Sequence, residues 1–127
     1  MAGARCSRAR GEGPPNARLI VRILFDQGTP APLRRHLGDL TVDTVAERGW
    51  SELGNGDLIA RAEDEGYDVV VTTDQNMRYQ QNLTGRRVAI LVLLSTAWPY
   101  VRLRTEEIRV ALSEVRPGEF REVPIPR

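Results

Sequence analysis

The chain contains no lysine, and all eighteen of its basic residues are arginines. Mechanisms that need a lysine amine, such as Schiff-base catalysis or phosphate binding by a P-loop lysine, are therefore excluded. Cysteine and histidine each occur once, as Cys6 and His36. A lone cysteine can form neither an internal disulfide nor a thiolate metal site, so we expect a reducing, cytoplasmic setting. His36 has no recognisable triad partners and is interpreted as a structural histidine.

Long apolar segments are also missing. The longest apolar run, residues 88–94, has the length of a strand and falls short of the ~20 residues that cross a bilayer, so no membrane association is expected. Residues 1–20 lack the apolar core of a secretory signal and contain four arginines and one glutamate. Their charge of +3 leaves −2 for the remainder, because the net charge is +1. A slightly acidic domain argues against a general nucleic-acid coat protein but permits a local basic groove.

The size of the chain allows one domain. With 127 residues, of which 41% are hydrophobic, it can bury a core of its own without disulfides. Residues 1–18 are rich in Arg, Gly, Ala and Pro, so we expect a disordered or over-long N-terminal extension there. Residues 19–127 are then the folded domain.

Apolar, β-branched segments alternate with amphipathic ones along this domain. Strands are predicted at residues 18–25, 41–45, 68–73 and 87–94, with an edge strand at 119–125. Helices are predicted after a Thr29 cap, from Asp57, from Gln75 and after a Thr105 cap, and residues 46–56 and 95–104 are expected to be loops. The order predicts an α/β fold with three layers, α/β/α, around a mainly parallel central sheet.

Three aspartates fall at corresponding places in this pattern. Asp26 ends the first strand, Asp74 ends the strand 68–73, and Asp57 opens the helix that leads into that strand. In open parallel sheets, functional groups collect beyond the carboxyl ends of the strands, so the three carboxylates could meet there. Such a group suits Mg²⁺ or Mn²⁺, which can activate water for attack on a phosphodiester without a histidine. For each aspartate alone, a capping or turn role is the alternative.

The segments RILFDQGTPAPLRRHL and NGDLIARAEDEGYDVVVTTDQN resemble the small PIN-like family. The resemblance rests on a strand-end "LFD", a helix-start acid and a strand-end "TxD", and it covers about residues 21–95. It implies a PIN-like fold in which Asp26, Asp57 and Asp74 are catalytic and bind Mg²⁺ or Mn²⁺. The implied activity is that of a metal-dependent endoribonuclease, a hydrolase of RNA phosphodiesters. Relatives often act as the toxin of a toxin–antitoxin pair and commonly form homodimers, so an antitoxin protein and a second copy are the implied partners.

One position departs from the family pattern. Many PIN-like relatives have a fourth acid shortly after the third, where this chain has Asn76. An asparagine can ligate a metal or orient a water but brings no charge, so the metal should be held more weakly. The alternative is therefore a catalytically degenerate PIN-like module that binds protein or RNA.

Further residues near the three acids are candidates for contact with the substrate. They are Gln27, Thr73, Arg78 and Tyr79, and for each of them a solvated or structural role is the simpler interpretation. A phosphoacceptor receiver domain is a third hypothesis, because Asp74 follows a buried strand. It fits poorly, because receivers need an acidic pair after the first strand and a lysine, and this chain has Asp26 followed by Gln27 and no lysine.

Overall fold

A computed structural model describes residues 22–38, 40–75 and 86–126 of the chain. The strands are β1 (Arg22–Phe25), β2 (Thr41–Thr44), β3 (Val69–Thr72), β4 (Ala89–Leu93) and β5 (Phe120–Val123). The α-helices are α1 (Val45–Arg48), α2 (Asn55–Asp64), α3 (Trp98–Val101) and α4 (Thr105–Glu114). Two 3₁₀ helices span Ala31–Leu37 and Arg102–Arg104.

All five strands belong to one sheet in the order β2-β1-β3-β4-β5, and every pair is parallel. The predicted α/β class with a parallel central sheet is thereby confirmed. All residues of β3 and β4 are buried, as expected for strands covered on both faces. Strand β5 lies at one edge, as predicted, and Pro124 follows it directly.

Side chains alternate between two separate cores, one on each face of the sheet. On the first face, Ile23 and Phe25 of β1 pack with residues of the first 3₁₀ helix, α3 and α4. On the second face, Leu24 packs with residues of α1 and α2, among them Leu58 and Ile59. This gives the three-layer arrangement, and it follows from the period of two along each strand.

The last crossover has the opposite hand to the first two. The connections from β1 to β2 and from β4 to β5 both pack on the first face, yet they run in opposite directions along the sheet. The connection from β2 to β3 runs in the direction of the last one but packs on the second face. Crossovers in parallel sheets nearly always share one hand, so the unit from β4 to β5 departs from the usual doubly wound arrangement.

The two predicted loops contain short helices. Helix α1 begins at Val45, the last residue of the predicted strand, and runs into the predicted loop as far as Arg48. It begins with a capping box in which Thr44 and Glu47 satisfy each other's backbone N–H groups. Helix α3 lies within residues 95–104 and carries a proline in its first turn. Helices of four residues are too short to show a period in the sequence, which is why the loop prediction was wrong.

Two predicted helix starts also differ from the structure. Thr29 does not cap the first helix: Pro30 holds the capping position, and the helix is of the 3₁₀ type. Thr105 is the first residue of α4 and not its cap, because the second 3₁₀ helix runs directly into α4. The predicted helix from Gln75 lies outside the described residues beyond Gln75 itself. Within the described ranges, no helix combines the length and apolar character that crossing a membrane requires.

Candidate functional site at the carboxyl ends of β1 and β3

The candidate site lies where the winding of the sheet reverses. Strand β1 has β2 on one side and β3 on the other, so the chain leaves β1 in one direction and returns on the opposite side. In open parallel sheets this switch point opens a crevice at the carboxyl ends of the strands. Asp26 follows β1 directly, and Asp74 lies two residues beyond the end of β3. The topology thus brings two of the three predicted acids to the switch point.

Thr72, the last residue of β3, links these two aspartates. Its side chain is fully buried, with 0% of its surface exposed. The hydroxyl donates a hydrogen bond to Oδ2 of Asp26 at 2.9 Å and accepts one from the backbone N–H of Asp74 at 3.1 Å. Because the same oxygen is both donor and acceptor, its proton must point at the Asp26 carboxylate.

The turn after β1 holds the Asp26 carboxylate from its other side. The backbone N–H of Gln27 donates to Oδ1 of Asp26 at 2.8 Å, so both carboxylate oxygens accept a hydrogen bond. The Asp26 N–H donates to the carbonyl of Val71 at 2.9 Å, and the Thr29 hydroxyl donates to that same carbonyl, also at 2.9 Å. Asp26 is therefore placed by contacts with β3 as well as by its own strand.

Gly28 allows the turn to lie against the end of β3. Its φ of +90° is a left-handed conformation that residues with a side chain rarely adopt. A Cβ at this position would lie 2.8 Å from Oγ1 of Thr73, closer than real contacts. The loops after β1 and β3 therefore lie close together at Gly28 and Thr73.

Helix α2 contributes Asn55 to the site. Asn55 is the first residue of α2, and its Nδ2 donates to Oδ2 of Asp74 at 3.2 Å. The helix begins two residues before the predicted start at Asp57, and Gly54 in the capping position supplies no side-chain hydrogen bond. Asp57 lies in the first turn with its side chain exposed.

The structure thus separates the predicted site residues into three groups. Asp26 and Asp74 both bond to Thr72, with Gln27 and Thr73 in the adjoining turns. Asp57 lies on the surface of α2, and among the residues that the structure describes no three of His, Cys, Asp or Glu are close enough to hold a metal ion together. Residues 76–85, which include Asn76, Arg78 and Tyr79, lie outside the described ranges. The three-acid metal site therefore stays a prediction.

The donor atoms at the site suit a hard divalent cation. Asp26 and Asp74 supply two carboxylates, whose oxygens are hard ligands. Mg²⁺ in proteins is commonly bound through one or two carboxylates and keeps several waters. Asp26 and Asp74 alone would meet that requirement, so the residues present fit Mg²⁺ or Mn²⁺ even without Asp57.

Sequence reasoning missed three residues of the site, namely Asn55, Thr72 and Gly28. Thr72 lies in a β-branched run and reads as an ordinary strand residue. Asn55 and Gly28 read as turn residues, which both partly are. A usable signal was the Asn-Gly pair ahead of Asp57, since asparagine is as good a helix-start residue as aspartate.

A polar cavity of about 360 Å³ lies at the other end of the strands, where β3, β4 and β5 begin. Its lining residues are Glu63, Asp64, Gly66, Tyr67, Asp68, Arg87 and Pro117. Glu63 accepts hydrogen bonds from the Arg87 backbone N–H and from Arg86, and these bonds hold the pKa of Glu63 below its usual value. Asp68 accepts a bond from the backbone of Arg22 at 3.0 Å. These acids tie neighbouring elements together, so we assign this end of the sheet a structural role.

The fold and the site define a class: a three-layer, all-parallel α/β protein with two carboxylates at the switch point of its sheet. Comparisons of the chain with protein-family models, with curated proteins and with solved structures found no match. The functional conclusion therefore depends on the residues themselves and on the PIN-like resemblance of the sequence.

Proposed function

We propose that this protein is a cytoplasmic, metal-dependent ribonuclease of the PIN-like type, which uses Mg²⁺ or Mn²⁺. The observation that carries the proposal is the buried Thr72 hydroxyl, which bonds the Asp26 carboxylate and the backbone N–H of Asp74 where β1 and β3 end. Asp26 and Asp74 are two of the three acids that the PIN-like resemblance assigns to catalysis.

Asp26 and Asp74 would hold the metal ion in this proposal. A bound divalent ion neutralises phosphate charge and activates water for attack on phosphorus. The chain's own residues supply orientation: the Gln27 N–H and the Thr72 hydroxyl hold the two oxygens of Asp26, and Asn55 holds Asp74. Gln27, Thr73, Arg78 and Tyr79 would contact the RNA. The resemblance further supports a role as the toxin of a toxin–antitoxin pair, an antitoxin partner and a homodimer.

RNA cleavage in the presence of Mn²⁺ tests the proposal. We expect Asp26→Asn and Asp74→Asn each to reduce cleavage by more than about 100-fold, since loss of even an outer-shell partner of a metal commonly costs 10- to 100-fold. Asp64→Asn is a matched control, because it removes the same charge from the far end of α2. Equal cleavage by all four proteins, or cleavage that survives chelation of the metal, would contradict the proposal.

The alternative function is a catalytically degenerate PIN-like module that binds RNA or protein. Its support is the position of Asp57, which the structure leaves exposed in the first turn of α2, together with the amide at Asn55 beside Asp74. Such a module should bind RNA or a partner protein equally well with Mn²⁺ or with a chelator. Calorimetry that detects no Mn²⁺ binding, together with metal-independent RNA binding, would favour it over the nuclease.

The strand order also bears on the receiver hypothesis. The order β2-β1-β3-β4-β5 is shared with receiver domains, and Asp74 follows β3. However, α4 packs on the first face with the first 3₁₀ helix, so the last crossover has the opposite hand to the first two. The absence of lysine removes a residue that receivers require. Acetyl phosphate should therefore leave Asp74 unlabelled.

A further inference from the structure

Asn55 and Asp57 compete for the same role at the start of α2. An α-helix turns by about 100° per residue, so residues two positions apart point in directions about 200° apart. The side chains of Asn55 and Asp57 therefore leave the helix on nearly opposite sides. In the structure Asn55 contacts Asp74, with Nδ2 and Oδ2 3.2 Å apart in a partly buried environment, and Asp57 is exposed.

We propose that Asn55, and not Asp57, is the residue through which α2 enters the site, and that its amide acts as the positioning residue of Asp74. The inference rests on the proposed function only in so far as it concerns the same site. The Asn55 amide donates a hydrogen bond to the Asp74 carboxylate, and a carboxylate at position 55 would instead add a third negative charge there.

The chemistry of the contact explains why an amide is suited to this place. The Asn55 side chain donates an N–H to the Asp74 carboxylate, and an amide carries no charge of its own. A carboxylate in the same position would be a like charge at hydrogen-bonding distance from Asp74. Two carboxylates so close repel each other unless a cation lies between them. The amide therefore lets the site be ordered without a cation.

This reasoning predicts that replacing the amide by a carboxylate makes the fold depend on metal. Asn55→Asp should lower the unfolding temperature in a chelator, and Mn²⁺ should restore it, because the ion relieves the repulsion and gains a third charged ligand. Mn²⁺ should bind Asn55→Asp about tenfold more tightly than wild type, as expected when ligand charge increases. Asp57→Asn should behave as wild type in both conditions, because the exposed Asp57 side chain leaves the helix about 200° around the axis from Asn55.

The experiment compares wild type, Asn55→Asp, Asn55→Ala and Asp57→Asn by thermal unfolding in a chelator and in millimolar Mn²⁺. Asn55→Ala removes the hydrogen bond without adding charge, so its loss of stability should not be reversed by Mn²⁺. If Asn55→Asp fails to fold in the chelator and folds in Mn²⁺, the proposal is supported in its strongest form. If Asn55→Asp fails in both conditions, the Mn²⁺ affinity of Asp57→Asn decides: affinity equal to wild type supports the proposal, and lost affinity overturns it.

Two results would overturn the proposal directly. One is an Asn55→Asp variant with the unfolding temperature of wild type in the chelator and no added effect of Mn²⁺. The other is a metal response that disappears in Asp57→Asn. Neither readout requires RNA cleavage, so the two proposals can fail separately: the expected metal response with no cleavage by any variant would remove the nuclease and leave the role of Asn55 intact.

Discussion

The Thr72 hydroxyl offers the sharpest test of how the site is held together. Thr72→Val keeps the β-branched shape and volume of the side chain within a fully buried strand. It removes only the hydroxyl, and with it the bonds to the Asp26 carboxylate at 2.9 Å and from the Asp74 N–H at 3.1 Å. Any loss of stability is then due to these two hydrogen bonds and not to a cavity.

The size of the effect follows from the kinds of bond that are lost. A hydrogen bond to a charged group contributes about 1.5–3 kcal/mol and a neutral one about 0.5–1.5 kcal/mol. Asp26 is only partly buried, so water will replace part of the lost solvation. We therefore expect Thr72→Val to reduce the free energy of unfolding by about 2–3 kcal/mol. Thr72→Ser keeps the hydroxyl and loses one methyl group, which should cost about 1 kcal/mol.

Urea unfolding monitored by tryptophan fluorescence and circular dichroism measures both variants. The expected order of stability is wild type, then Thr72→Ser, then Thr72→Val. In an Asp26→Ala background the further cost of Thr72→Val should fall by about 1 kcal/mol or more, because the charged bond is already gone. A Thr72→Val protein as stable as wild type, or one that is more stable than Thr72→Ser, would refute the reasoning.

Three other predictions concern the stability of the fold. Gly28→Ala should cost about 1–3 kcal/mol in urea unfolding, because it combines a φ of +90° with a Cβ 2.8 Å from the Thr73 hydroxyl; a neutral result would mean that the turn moves freely. Burial, helped by the bond to Asp43, raises the pKa of Tyr67 to about 12, whereas an unfolded tyrosine titrates near 10. The unfolded chain therefore loses this proton first, and stability should fall as pH rises from about 10 to about 12, by up to about 1.4 kcal/mol per unit; Tyr67→Phe should abolish that component, and an unchanged slope would contradict the assignment. Thr44→Ala should cost about 1 kcal/mol through loss of the capping box of α1, and Thr44→Ser, which keeps the oxygen, should cost less when measured by thermal unfolding.

The strands could be predicted because runs of β-branched residues indicate them in the sequence. Strands β3 and β4 are buried on both faces, and such strands appear as continuous apolar segments. Once the order of elements was known, the carboxyl ends of β1 and β3 followed, and with them the neighbouring positions of Asp26 and Asp74. Helix α1 could not be found in the same way, because a helix of four residues has no period and is signalled only by its capping box.

The start of α2 shows why the rest of the site was harder to predict. Helix ends inferred from sequence are uncertain by one or two residues, and such an error does little harm to a fold prediction. At a functional site, an error of two residues changes the direction assigned to a side chain by about 200°, so that Asp57 is predicted where Asn55 lies. Thr72 was hidden for a different reason: its hydroxyl reaches Asp26, which lies 46 positions away in the sequence, and no local pattern indicates such a contact.

Elements of both outer layers begin at the carboxyl ends of β1 and β3. The turn that begins at Asp26 leads into the 3₁₀ helix of the first face, and Asn55 begins the helix that packs on the second face. A ligand bound between Asp26 and Asp74 would therefore lie next to the starts of helices from both outer layers. Binding of such a ligand should slow amide hydrogen exchange in α2 and in the first 3₁₀ helix together, because it would stabilise both outer layers at once.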